Sequence, residues 1–532
     1  MSINDLTPIE VLIVGAGPVG LTLAIDLASR GVALRIVDKA TTFAIGSRAR
    51  GVSPRTQEIF EDLGVLKSVV ACASTVLPMR FYDSDGNLVR ELDPTANPAV
   101  VPTPDMPYRA PLMVNQSDTE TILRERLGVF GYEVEMGCAL AGFVQHDDYV
   151  VATLQHGNTV ETVCTRYLIG CDGGHSSVRK IGNFSFLGET WDDTHQIFAN
   201  LSVTGLAPDY WYSWALPTLG SVMLQPMHNG QWFFAAPAVP NEQGDLPPTS
   251  LETLQQLVEA AVKAPTIQLS DLTWITIWRP NIRMVDHYRD GRVLLAGDAA
   301  HVHSAAGGQG MNTGIQDAYN LGWKLANVLR GATDSLLDTY ELERLPVAKG
   351  VLDSTSNRHK AMKQKDVGDK TTGVQALTNL VSGKDPFADI TQLSISYRES
   401  SLSINVDEAI SIRAGDRAPD APCVRVCDGK PMRLFDAFQG THFSLLSFSN
   451  EAAPCLPHQY HSDVQTYSIR SNNNVSESND HVLIDCDGQA RKAYGMNGDA
   501  LVLVRPDGYV GLTVGANNPQ PVLDYLQQVI GR

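Results

Sequence analysis

Residues 11–38 read VLIVGAGPVGLTLAIDLASRGVALRIVD. The run 11–14 is apolar and of strand length, and glycine ends it at once. Gly15-Ala16-Gly17-Pro18-Val19-Gly20 follows, then an apolar helical stretch over 21–27, then a second strand over 33–37 that stops at Asp38. This is G-x-G-x-x-G in the context it requires: strand before, helix after, an acidic residue roughly 20 positions on. Gly15 makes the tight turn, Gly17 lets a pyrophosphate approach the backbone, and Gly20 lets the helix sit close to the strand. Asp38 accepts hydrogen bonds from an adenosine ribose. Gly15, Gly17, Pro18, Gly20, Asp38 and Lys39 are therefore candidate cofactor contacts. The fingerprint calls for a dinucleotide and does not separate NAD from FAD.

Residues 291–329, GRVLLAGDAAHVHSAAGGQGMNTGIQDAYNLGWKLANVL, repeat the strand–loop–helix logic further along. A strand over 293–296 ends at Gly297-Asp298, and a loop with Gly307, Gly308 and Gly310 opens a helix. Ile315, Ala318, Gly322, Leu325 and Leu329 fall on one face of that helix. Its free N–H groups and positive end call for an anion, or a developing negative charge, at 308–312. A third stretch, 167–179 (YLIGCDGGHSSVR), again runs from a strand into Asp172-Gly173 and a helix.

With these three stretches the chain resembles the class A flavoprotein monooxygenases, the single-component aromatic hydroxylases typified by para-hydroxybenzoate and phenol hydroxylases. The family's D-G-x-x-S-x-V-R falls at 172–179, its G-D at Gly297-Asp298, and its G-G-x-G-x-N at 307–312. Arg48 sits in S-R-A-R-G, where the family carries R-A-x-G, and Gln116 in Q-S-D-T-E, the family's Q-x-x-T-E. The resemblance implies FAD, held also by Arg48, Gln116, Asp172, Asp298, Gly308, Gly310, Met311 and Asn312. It implies that Arg48, Ala305 and Gly308 serve catalysis, with Arg48 following the flavin as it moves. Many relatives have Pro-Pro at Ser304-Ala305; Ala305 keeps the carbonyl and loosens the loop. Arg50 stands where relatives carry an apolar residue or Asp facing the active site. It either binds an anionic substrate or points to solvent.

The fold so implied is α/β and α+β. A Rossmann-like FAD-binding domain over 1–185 and 286–395 is interrupted by an antiparallel substrate sheet over 186–285. A thioredoxin-like domain over 400–532 follows, without redox cysteines, for packing or dimerisation. Within 186–285, short aromatic and β-branched runs at 198–203, 222–226, 232–237 and 272–278 read as strands. Tyr212, Trp214 and His228 are candidate substrate contacts, with Tyr210, Trp211, Trp232 and Phe234 near them in sequence; the alternative for most of these is a sheet core. Flavin halogenases carry W-x-W-x-I-P, and the spacing of Trp211, Trp214 and Pro217 does not match it. Residues 336–362 read as a charged helix that Pro346 kinks or splits.

The family's chemistry takes hydride from NADH or NADPH and adds O2 at flavin C4a. The resulting hydroperoxide passes its distal oxygen to a phenolic or polycyclic aromatic ring. The helix start at 308–312 would face flavin N1/O2, where charge develops. No residue is marked as a general base. No second G-x-G-x-x-G exists, so NAD(P)H is expected to bind transiently on the flavin domain. An FAD-dependent dehydrogenase or oxidase without oxygen insertion, and a non-catalytic flavin-bound regulatory protein, are the alternatives.

Bulk properties are those of an ordinary soluble globular chain. The chain has 532 residues, 43% hydrophobic and 19% charged, with a net charge of −18, which repels nucleic acid and anionic membrane. No signal peptide or membrane span is expected. The eight cysteines include no C-x-x-C, so no metal site is expected and free thiols in the cytoplasm are the default. A homodimer is left open.

Overall fold

Ile9–Val14 lies at the centre of an eight-stranded sheet, between Leu34–Asp38 and Thr159–Gly170, with Val293–Leu295 beyond the latter. This computed structural model describes residues 9–46, 49–74, 76–97, 100–190, 195–216, 220–262, 266–279, 281–303, 308–363, 388–407, 410–471, 480–515 and 518–531. All three pairings are parallel, with Val14 level with Val37 and Gly170, and Gly170 level with Leu295. Val11, Leu12 and Ile13 are fully buried, apolar on both faces, as a strand covered on both sides requires. Helices Pro18–Ser29 and Gly310–Leu329 pack on each other there. Their contact depends on Gly322, where a Cβ would lie 2.0 Å from Asp26 Oδ2. Because the strands end in register, the loops after Val14, Gly170 and Leu295 open side by side at one edge. That is where parallel sheets bind ligands.

A second, seven-stranded sheet runs in the order Gln268–Trp278, Gln196–Thr204, Trp232–Pro237, Ser221–Pro226, Trp211–Ala215, Met79–Tyr82, Leu88–Leu92. It departs from expectation in two ways. Its last two strands come from the 1–185 segment, and Met79–Tyr82 joins Trp211–Ala215 in parallel, so the sheet is mixed rather than antiparallel. Partners so far apart in sequence leave no local signal, unlike a hairpin. One face is sealed by helix Leu251–Val262, giving this sheet a core of its own.

The C-terminal sheet has eight strands. Phe443–Phe448 runs parallel to Val464–Arg470 and antiparallel to Ala500–Val504, which pairs antiparallel with Val510–Gly515 before helix Gln520–Ile530. One face shares a continuous core with the flavin domain: Phe443 meets Trp323 edge-on at 5.6 Å. All eight cysteines are free, and burial pushes the Cys423 thiol up to about 12, far from a reactive thiolate.

Asp338–Lys363 is one helix, not two, despite Pro346. Proline removes the N–H that would meet the Leu342 carbonyl, and Leu342 is 60% exposed, so water can take that carbonyl instead. Residues 364–387 and 472–479, which the sequence reads as a looser stretch and a polar surface loop, lie outside the described residues.

Candidate active site

The first loop divides its glycines by task. A Cβ on Gly15 (φ +105°) would meet the Cys171 carbonyl oxygen at 2.4 Å, and one on Gly20 would meet the Gly15 oxygen at 2.0 Å. A Cβ on Gly17 would meet nothing within 4 Å. Gly15 and Gly20 are thus required by the fold, whereas Gly17 borders open space. Pro18 begins the helix, where its missing N–H costs nothing. Asp38 Oδ2 accepts from Ala16 N–H at 2.8 Å and Oδ1 from Ala40 N–H at 2.8 Å, which fixes the carboxylate at the loop. Lys39 is exposed beside it.

The second and third loops close on the first. Asp172 Oδ2 caps the helix Ser177–Ile181, accepting from Ser177 N–H at 2.5 Å, while its Oδ1 is buried with no partner. Arg179 donates to the Ala299 carbonyl at 2.9 Å and the Gly174 carbonyl at 2.6 Å, stapling these two loops together. Asp298 is exposed in the third loop. Gly297 (φ +62°) and Gly314 admit Val19 between them; a Cβ on either would lie within 2.8 Å of Val19 Cγ2. Gly308 (φ +62°) has no atom within 4 Å of a Cβ position, and the helix begins at Gly310. The N–H groups of Gly310, Met311 and Asn312 are first-turn donors without intrahelical partners. Open space at Gly17 and Gly308, an orphaned carboxylate oxygen and a helix start at one edge fit FAD.

Asn312 does something the sequence did not suggest. Its side chain donates to the Gly51 carbonyl at 2.9 Å and the Gly308 carbonyl at 3.1 Å, and accepts from Ser53 N–H at 2.9 Å. The amide is spent on clamping residues 51–53 to the helix start, which leaves only its backbone N–H for a cofactor. Gln116 acts similarly: its Oε1 accepts from Ala49 N–H at 3.3 Å, and Val114 N–H reaches the Arg50 carbonyl at 2.8 Å. The strap next to Arg48 is held from both sides. Arg48 and Ala305 themselves lie outside the described residues.

The sheet that faces this strap puts most of the candidate aromatics in its core, which was the alternative for them. Tyr212 and Trp214 are 4% and 3% exposed and stack on each other at 5.4 Å within the core under helix Leu251–Val262. Trp232 and Phe234 lie in that same core, and His228 is exposed in a hairpin turn. Strand side chains alternate, so the other face carries Phe233, Gln225, Phe198, Asn200 and Trp274. Phe198 and Phe233 stack at 5.6 Å. A Cβ on Gly46 would fall 2.1 Å from the Trp274 ring, so this face lies directly on the strap. Alternation in 232–237 was readable; which parity faced inward was not.

Behind the helix start stands a buried ion pair. Asp317 Oδ2 accepts from Gly297 N–H at 3.1 Å and meets His301 Nε2 at 2.7 Å, and Arg344 Nε holds Oδ1 at 2.7 Å. Burial pushes this carboxyl up, but Arg344 and His301 outweigh it and keep it below its ordinary range. Asp317 therefore stays charged and locks the Gly297 turn.

A dinucleotide cradle at the edge of a parallel sheet, faced by a second sheet, defines a dinucleotide-binding protein of the Rossmann type. The chain belongs to the family described as FAD binding domain, whose model matches residues 8–355, and residues 420–529 match the HcaD C-terminal domain. It is 38% identical to a flavin-dependent monooxygenase of Mycobacteroides abscessus, over 98% of this chain and 100% of that one. It is 29% identical to pentachlorophenol 4-monooxygenase of Sphingobium chlorophenolicum, over 98% and 97%. It superposes on aklavinone-11 hydroxylase, solved with FAD and aklavinone, with a TM-score of 0.79, 26% identity and full coverage of both chains. The protein is an FAD-dependent monooxygenase. No helix among the described residues is long and apolar enough to cross a membrane.

Proposed function

We propose that this monooxygenase is a single-component hydroxylase of phenolic or polycyclic aromatic substrates, using NADH or NADPH and O2. The observation that carries the reading is the aromatic sheet face, with Phe198 stacked on Phe233, lying on the strap beside the cofactor cradle. The kindred pentachlorophenol 4-monooxygenase supports the substrate class. FAD, when bound, accepts hydride from the nicotinamide and, once reduced, uses O2 to oxygenate an electron-rich ring. The chain's residues do the rest. Gly17 leaves room for the pyrophosphate, and Asp38, Lys39, Asp172, Asp298 and Gln116 line its course. The N–H groups at 310–312 stabilise negative charge that grows on the flavin's pyrimidine edge. The sheet face keeps water from the reacting ring.

Arg48 is inferred to guide the ring between the nicotinamide and the substrate. Arg48→Ala should retain FAD and reduce slowly with NAD(P)H but normally with dithionite; wild-type reduction by NAD(P)H would exclude that role. The strand order of the tail and its lack of redox cysteines support a thioredoxin-like packing domain. The divisions 1–185 with 286–395, 186–285 and 400–532, a cytoplasmic location and a homodimer belong to the same reading, except that strands 79–82 and 88–92 go with the substrate sheet.

The test is a screen of aromatic compounds for stimulated NAD(P)H oxidation, with products analysed after reaction under labelled O2. One labelled oxygen in a hydroxylated product is expected. Stoichiometric H2O2 without hydroxylation would favour the oxidase alternative, and no NAD(P)H consumption with any aromatic would favour the non-catalytic one.

A further inference from the structure

Arg50 is 7% exposed, so it does not point to solvent. Its Nη1 donates to Gln225 Oε1 at 2.9 Å, and its guanidinium lies over the Phe233 ring at 4.9 Å. Gln225 and Phe233 are cross-strand neighbours on the sheet face that meets the strap. Its Nε is buried with no partner, and Nη2 makes no hydrogen bond to the described residues. No carboxylate among the described residues pairs with it, and burial alone pushes the group down to about 10.

Four other buried arginines are treated differently, while Arg179 spends its guanidinium on two carbonyls. Arg30, Arg55, Arg344 and Arg505 each hold a carboxylate, at 2.9, 2.6, 2.7 and 2.6 Å. Acids are not scarce in a chain with 59 of them against 41 Lys and Arg. The Nε/Nη2 edge left empty in Arg50 is the edge with which Arg30 grips Asp26 and Arg35 grips Glu135. That edge matches an oxygen anion in geometry and charge. Arg50 is also tied to the cofactor end of the site. The next residue, Gly51, is clamped by Asn312 to the helix start that faces the cofactor.

We propose that Arg50 receives the aromatic substrate as its phenolate, binding the ionised oxygen through the Nε/Nη2 edge. This rests on the aromatic-hydroxylase reading and specifies its substrate as an ionisable phenol. The phenol O–H breaks and its proton passes to solvent as the substrate docks, with the electron pair left on oxygen. The ring is thereby made electron-rich without a general base. A fixed cation next to the oxygen lowers the phenol's pKa in the bound state.

The test uses the FAD-loaded enzyme and reads binding from the flavin spectrum, not turnover. The probes are 4-nitrophenol, 2-naphthol and 1-hydroxyanthraquinone, each with its O-methyl ether, and 4-nitrobenzoate as a carboxylate. The expected result is a preference of about tenfold or more for a phenol over its ether. The bound phenol should ionise at least about one pH unit lower than free, read from its own phenolate band. Arg50→Gln should lose both effects while keeping its FAD, and Arg50→Lys should recover part of the preference. Ethers binding as tightly as phenols, or Arg50→Gln keeping the preference, would overturn the phenolate site and leave aromatic hydroxylation standing. Tighter binding of 4-nitrobenzoate than of any phenol would overturn the phenolate in favour of a carboxylate. Binding of no aromatic at all would overturn the hydroxylase reading and this site with it.

Discussion

The flavin domain has two covered flanks, and their polar atoms are treated in opposite ways. Against the C-terminal domain, the buried cations Arg55, Lys324 and Arg505 each hold a carboxylate. Arg505 meets Glu343 at 2.6 and 2.8 Å; Glu343 also takes Lys324 Nζ and Asn320 Nδ2, each at 2.7 Å; Asp507 takes Trp323 Nε1 at 3.1 Å. Against the substrate sheet, Arg50 has one neutral partner, and Asn200 Oδ1 has none. Both flanks are buried, so exposure does not tell them apart. A buried polar group left unpaired is costly, so the flank that closes on itself is finished, and the other awaits a ligand.

The contrast can be broken or sharpened by substitution, and the largest effect is expected at Gly17. Gly17→Val puts carbon into the open space beside the helix start, so FAD should be lost while the apoprotein melts as wild type does. A yellow Gly17→Val protein would refute the cradle. Glu343→Ala, on the finished flank, leaves Lys324 and Arg505 buried side by side and should cost about 3–5 kcal/mol in denaturant unfolding. A loss within experimental error would mean that this network is ornamental.

The pH dependence probes the same flank. Burial raises Asp62 to about 6, against the hydrogen bonds it accepts from Tyr319 and Gly440. A carboxyl whose folded pKa is raised contributes stability in full below about 4, and that contribution is lost as pH rises through about 6. Relative to Asp62→Asn, the wild type should therefore lose ~3 kcal/mol between pH 4 and 7. A flat difference across that range would contradict a buried, protonated Asp62. The smallest effect is expected at Asp298, on the open side. Asp298→Ala should weaken FAD by about 1–3 kcal/mol, measured by flavin titration, without changing the fold; wild-type affinity would remove Asp298 from the cofactor's course.

The open flank's scaffold was legible because its signals are local. Residues 11–14, 167–170 and 293–295 are continuous apolar runs that end in glycine or Asp-Gly, and each loop follows its strand directly. The finished flank was not legible, because Arg505 and Glu343 lie 162 residues apart and Asn320 and Asp507 lie 187 apart. Nothing near any of them announces the partner. The four runs expected as substrate-sheet strands are strands, but their facing was not legible, for a third reason. Trp232, Phe233 and Phe234 are consecutive aromatics, so composition does not say which parity is the core; only pairing to Gln225 and Asn200 decides it. Arg50 could be singled out but not oriented, since its orientation comes from that same pairing.

The helix Gly310–Leu329 belongs to both flanks, carrying the cofactor end at Gly310 and the ion network at Asn320 and Lys324. During synthesis that network stays incomplete until Arg505 and Asp507 emerge, 162 residues or more after Glu343. Until then Lys324 on this helix and Glu343 on Asp338–Lys363, both fully buried in the folded protein, lack those two partners. The ribosome thus makes nearly all of the cofactor domain before it makes the residues that let the domain settle. A nascent chain stalled before residue 505 should be a client of chaperones rather than a small working flavoprotein.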